Sequence, residues 1–353
     1  MLALTTTSIA WLLFAVILGG WAVYAFLNIR AARPELGSER EMAANRAPYY
    51  DDEILEGPRL TRVLGIGLIL MVIITVALPL YWILEPDRQA GAQAAKTQQF
   101  EDWGAALFAS TAEGGFNCAG CHGGMNATGS TTSYNVTDVT TGEVKAVTWV
   151  APALNTVFYR YDEDEVRYIL TYGRAGTPMP PWGTEGGGPM NDQQIDTLLA
   201  YLKLIQVERE DCAVGEDDPR TCESGHLPAE TQNEIQTLAQ GLVDDGTYAT
   251  IGEALFNLDL HGGAYSCARC HTPGWSYGEP GVSGTGALGW NLTGGAANSH
   301  FPIESDLERF IATGTEDGAR YGTQGGGTGR MPGFGAVLTD EQIHEIAEYV
   351  RGL

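Results

Sequence analysis

The sequence predicts a mainly α protein, with an N-terminal helical hairpin able to cross a bilayer twice and then two copies of one small helical unit. Three observations predict it. Two long charge-free apolar runs fall within the first 84 residues, the pentapeptide Cys-x-x-Cys-His occurs at Cys118–His122 and again at Cys267–His271, and the residues around those pentapeptides repeat in the same order. At 353 residues the chain is long enough for several separate cores.

The hairpin comes first. No side chain from Met1 to Ile29 is charged, and Ile9 to Leu27 is an unbroken apolar span. Val63 to Leu84 is a second charge-free run, 22 residues long, which as a helix reaches about 33 Å and matches a bilayer core. Pro79 falls in its last turns, where a kink is tolerated. A cleaved signal peptide is the competing reading of the first run, but that run lacks a basic leading segment and a small-residue cleavage site. The connector carries Arg30, Arg33, Arg40, Arg46, Arg59 and Arg62, whereas only Arg88 and Lys96 follow soon after the second run. Basic connectors stay in the cytoplasm, so both termini are expected on the periplasmic or extracellular side of the cytoplasmic membrane.

Charge separates the two parts. Residues 1–96 hold 8 basic and 9 acidic groups, while residues 97–353 hold 12 against 35. The total of −24 argues against nucleic-acid binding, which needs a basic surface. An acidic outer region either steers a basic partner or keeps the domains soluble.

The repeated unit carries the chemistry. Cys118, Cys121 and His122, and again Cys267, Cys270 and His271, form the signature of covalent haem attachment: two thiols three positions apart add to the haem vinyl groups, and the adjacent imidazole meets the iron. Zinc binding by the four thiols would not call for a His after each second Cys, and a thioredoxin-like redox pair needs a βαβ context that is missing. Each pentapeptide follows a helical pattern, with Gly104 and Phe108 in one copy matched by Gly252 and Phe256 in the other. An amphipathic segment ending in Gly173 or Gly314 comes next, then a Gly-rich loop bearing Met179-Pro180 or Met331-Pro332. Each copy closes with a helix, Asp192 to Tyr201 and Asp340 to Tyr349, for which Asp192 and Asp340 are the expected N-caps.

The repeats resemble the small Met/His-ligated class I cytochrome c family, twice in tandem. The resemblance covers about residues 100–207 and 246–353. It implies a fold of three to five helices around each of two covalently attached haem c groups, with the first and last helices crossing. By the same resemblance His122 and Met179 are the axial ligands of one iron, and His271 and Met331 of the other. Met125 lies too close to its own pentapeptide for that role, and Met190 at the edge of the closing helix suits packing. His226, His261, His300 and His344 are lone histidines that read as solvated. Pro152, Leu154 and Trp290 to Leu292 are candidate haem contacts. Arg174 and Arg330 are candidates for pairing with propionates, or are simply exposed. The Gly-rich runs at Gly186–Gly188 and Gly325–Gly329 lack the Lys-Ser/Thr of a phosphate loop. No role is assigned to the sequons at Asn126, Asn135 and Asn291.

The expected division is a transmembrane helix at 1–29, a cytoplasmic connector at 30–62, a second transmembrane helix at 63–84 and a linker at 85–99. Cytochrome c domains follow at 100–207 and 246–353, joined by an acidic linker at 208–245. Cys212 and Cys222 in that linker are expected to form a disulfide outside the cytoplasm.

A Met/His pair saturates iron, which favours electron transfer over catalysis. Anchored tandem domains resemble the dihaem c subunit of cytochrome bcc-type quinol:cytochrome c reductases. That resemblance implies a respiratory complex with cytochrome b and a Rieske protein as partners, and an electron donor or acceptor protein besides. In that family the anchor usually follows the haems, whereas here it precedes them. The alternatives are the dihaem c subunit of a cbb-type haem-copper oxidase, whose anchor is N-terminal, and the cytochrome subunit of a periplasmic dehydrogenase or peroxidase.

Overall fold

The computed structural model describes residues 6–32, 57–137, 141–174, 177–210, 225–315, 317–322, 325–328 and 331–353. Cys212, Cys222, Arg330 and most of the basic connector lie outside the described residues. The chain divides into two units, Met1–Lys96 and Thr97–Leu353.

The first unit holds helix α1, Thr6–Ala32, and most of helix α2, Pro58–Phe108. One helix, Leu60–Phe108, is long and apolar enough to cross a membrane, and Phe14–Leu27 is a shorter apolar helical stretch. The most apolar part of α2 is not buried inside the protein: Leu64, Ile69 and Met71 are all exposed. Uncovered apolar surface of this size is at odds with water and suits lipid. The segment 85–99, read as a linker, is helical, because its run of Ala, Gln and Lys favours helix and carries no proline after Pro86.

In the second unit α2 ends at Phe108, and helix α3, Cys118–His122, follows. Strands β1, Ser130–Thr137, and β2, Val144–Ala151, pair antiparallel from Ser130 opposite Ala151 to Thr137 opposite Val144. Helix α4 is Glu163–Tyr172, and helix α5, Asp192–Leu204, closes the first repeat. Helix α6, Ala229–Asp244, helix α7, Ile251–Phe256, and helix α8, Ala268–His271, lead into the second repeat. That repeat ends with helix α9, Glu304–Thr313, and helix α10, Asp340–Gly352. Short strands β3, Asp317–Tyr321, and β4, Gly325–Thr328, lie in the loop that precedes Met331.

The first and last helices of each repeat cross at a glycine. A Cβ on Gly104 would stand 2.0 Å from the Thr197 carbonyl oxygen, and one on Gly252 would stand 2.0 Å from that of Glu345. Only glycine admits backbone approach this close. One turn further on, the Phe108 and Tyr201 rings lie 5.3 Å apart, as do those of Phe256 and Tyr349. Ile195 and Ile343 are buried beside these crossings.

Two further expectations shift. The N-caps are Asn191 and Thr339 rather than Asp192 and Asp340: the Asn191 side chain accepts from Gln194 N at 2.9 Å and Thr339 Oγ1 from Gln342 N at 3.3 Å. Each glutamine side chain bonds back to its cap's N–H, completing a capping box, and the aspartates occupy the first helical position, where the helix dipole favours them. The acidic linker, 208–245, contains the 16-residue helix α6, whose Ile235 and Ala239 are buried in the core of the second repeat.

Candidate haem-binding sites

The pentapeptides sit on one-turn helices. Gly123 ends α3 at φ +88°, a left-handed conformation that suits glycine. Gly129 N donates to the His122 carbonyl at 2.9 Å, and Ser130 Oγ donates to that of Cys121 at 2.8 Å. In the second repeat, Gly289 N donates to the Cys270 carbonyl at 2.7 Å and Gly286 N to that of His271 at 2.8 Å. A Cβ on Gly289 would lie 2.6 Å from His271 Cε1, so this glycine makes room for the imidazole.

Both imidazoles are oriented alike. His122 Nδ1 lies 2.9 Å from the Pro152 carbonyl oxygen, and His271 Nδ1 lies 2.8 Å from that of Trp290. A carbonyl only accepts, so each Nδ1 carries the proton and each Nε2 keeps its lone pair for a metal. Burial holds His122 down to about 4, and burial likewise lowers His271. Neutral imidazole is the metal-binding form. Burial pushes the thiols up, Cys118 to about 11 and Cys267 to about 12, so they stand as neutral thiols at pH 7.

The methionine loops are held by a matched device. Gly173 (φ +68°) ends α4, and Gly314 (φ +70°) ends α9. A Cβ at either would fall within 2.7 Å of the carbonyl oxygen of Met179 or Met331 respectively. The next residue donates its N–H to that same carbonyl, Arg174 to Met179 at 3.1 Å and Thr315 to Met331 at 2.9 Å. Each methionine is thereby pinned against the helix that ends beside it.

In the second repeat, a cavity of about 680 Å³ is lined by Cys267, Cys270, His271 and Met331. Its wall is mostly apolar, including Phe256, Leu307 and Ile311, and its volume is that of a cofactor site. Two thiols, an imidazole with a free Nε2 and a thioether at one apolar cavity fit a covalently held haem. In the first repeat Cys118, Phe116, Leu154 and Met179 pack against one core, which also contains Val157, Val166 and Leu170. Met190 is fully buried in that core, and Met125 is exposed. His344 lies on the surface, with Nδ1 2.6 Å from Glu308.

The hairpin β1–β2 escaped the sequence reading, although its alternating Thr, Tyr and Val residues are a strand signal. It joins the repeats. Arg269, inside the second pentapeptide, donates from Nη1 to the Val150 and Gly262 carbonyls at 3.0 Å each. Ala153 N donates to the His261 carbonyl at 2.9 Å, Lys145 pairs with Glu279 at 2.6 Å, and the Trp149 and Tyr277 rings meet edge to face at 4.7 Å. Helix α4 serves both repeats: Val166 and Leu170 enter the first core, while Ile169 and Tyr172 line the second cavity.

Residues 101–202 match the family model described as cytochrome C oxidase, cbb3-type, subunit III. Neither the curated proteins nor the solved structures contain a match. With its Cys-x-x-Cys-His helix and methionine loop, the matched segment is a c-type cytochrome domain, the kind that carries covalently bound haem c and transfers electrons.

Proposed function

We propose that the chain is a membrane-anchored dihaem c-type cytochrome that relays electrons within a respiratory membrane complex on the outer face of the membrane. The observation that carries the reading is the second cavity. Cys267, Cys270, His271 and Met331 meet there with the same histidine orientation and the same glycine-anchored methionine loop as in the matched first repeat. A haem with His and Met ligands supplies one-electron transfer with no position open to substrate. The chain itself orients both imidazoles, excludes water with apolar walls and holds the two sites together through α4 and the hairpin.

Two complexes fit as partners. The tandem arrangement supports the c subunit of a bcc-type quinol:cytochrome c reductase, with cytochrome b and a Rieske protein. The cbb3-type family match and the N-terminal position of the apolar helices support a cbb-type haem-copper oxidase. Haem quantification tests the first step: two covalent haems per chain are expected, one after Cys267→Ala/Cys270→Ala, and a single haem in the unaltered chain would refute the dihaem reading. Purification in mild detergent then decides the partner. Cytochrome b with a Rieske protein identifies the reductase, and a haem-copper subunit without them identifies the oxidase.

A further inference from the structure

We infer that Arg174, a residue of the first repeat, binds a propionate carboxylate of the haem held by the second repeat, which completes the second site from outside its own repeat. The inference rests on the dihaem reading above. Its basis is positional: the residue after the capping glycine is Arg174 in the first repeat and Thr315 in the second, and both line the cavity of the second repeat. The Thr315 hydroxyl is buried and has no hydrogen-bond partner among the described residues. Arg174 Nη2 donates to the Tyr161 hydroxyl at 3.1 Å, and its guanidinium lies 5.5 Å from the centre of that ring. This bond uses one of five donors. Each repeat therefore contributes a polar residue at this matched position to a mostly apolar cavity, whose lining also includes Glu165, Asn291 and His300.

Two further arginines stand at the same junction. Arg269 is tied to the Val150 and Gly262 carbonyls, and Arg160 Nη2 donates to the Ala153 carbonyl at 3.2 Å, while Arg160 Nε is buried with no partner among the described residues. The Cys270 sulfur lies within electrostatic reach of all three guanidinium groups, and Arg269 feels both of the others. Glu165, which also lines the cavity, lies within electrostatic reach of Arg174, and Asp259 within that of Arg269. Arginine does not escape by losing its proton, and removing unpaired cations from water is costly. Set against three guanidinium groups, these two carboxylates leave the cluster one anion short. A carboxylate brought in by the cofactor supplies one and accepts the bidentate bonds that guanidinium offers.

The test is a redox titration of the full-length chain in detergent with both haems attached. Met179→His and Met331→His assign the two waves. In Arg174→Gln the wave of the second haem is expected at lower potential. At a fixed ambient potential its reduced-to-oxidised ratio falls about tenfold, or ~59 mV for one electron, because an uncompensated propionate favours ferric iron. Arg174→Lys restores most of the shift. If Arg174→Gln fails to retain the second haem, Arg174→Lys and Thr315→Val carry the test, each with a smaller downward shift of the same wave. An unchanged second wave, a shift confined to the first haem, or a shift abolished by added chloride or phosphate overturns the inference. A wild-type chain with one haem instead refutes the dihaem reading, which haem quantification detects separately.

Discussion

Gly104 and Gly252 show how much a single missing side chain decides. Each lets a carbonyl oxygen of the closing helix come to where a Cβ would otherwise be, at 2.0 Å, so neither neighbour has a flexible end to move away. Gly104→Ala and Gly252→Ala are expected to cost at least the ~1–3 kcal/mol typical of overpacking. Thermal unfolding should show a lower midpoint for the repeat concerned. Gly91 is the control, because it too is helical but a Cβ there meets nothing within 4 Å, so Gly91→Ala should not lower the midpoint. The histidines follow the same local logic. A single carbonyl behind each ring sets the tautomer, and the carbonyls of Pro152 and Trp290 are the two that do so.

The hairpin β1–β2 is the element with the largest role outside its own repeat. Val150 and Ala153 belong to the core of the second repeat, while the hairpin itself is inserted between the first pentapeptide and its methionine loop. Trp149 is 7% exposed and meets Tyr277 across the junction. Trp149→Ala is expected to cost about 3–5 kcal/mol, as for other buried tryptophans. Hydrogen exchange should then quicken in β1, β2 and around Trp275–Tyr277, and little in α5. Uniform quickening across both repeats would mean that the hairpin is not a local joint. Helix α4 is the other shared element, and its two faces follow from its sequence. Val166 and Leu170, four apart, turn to one core, and Ile169 and Tyr172, three apart, turn to the other cavity.

At the scale of the molecule, the division at Lys96 separates a part with uncovered apolar helices from a part with its own cores. The break falls inside α2, and the residues needed for the first helix crossing, Gly104 and Phe108, lie on the far side of it. A chain of residues 97–353 is therefore expected to be soluble without detergent and to carry two covalent haems. Ultracentrifugation with haem quantification of the supernatant checks this. Recovery in the membrane fraction, or loss of either haem, would show that the first unit contributes to the second unit's fold.

Much of this was legible in the residues themselves. The pentapeptides, the Met-Pro loops, the Gly-to-Phe spacing before each motif and the apolar run of α2 depend on local chemistry or on helical periodicity, and both are written along the chain. The helix in 208–245 was legible too, through Ile235, Leu238, Ala239 and Leu242 at helical spacing. The N-caps differed by one residue because Asn, Thr and Asp all cap, and only the backbone conformation selects among them. What the tertiary structure alone decided is the joining of the repeats. It placed Arg269 against Val150, turned one face of α4 towards the second cavity and brought Arg174 to the wall of that cavity. Those juxtapositions bring together residues more than 80 positions apart, such as Arg174 and Phe256 in one cavity wall. No local pattern encodes them, because each side chain would satisfy its own neighbourhood equally well in another pairing of the repeats.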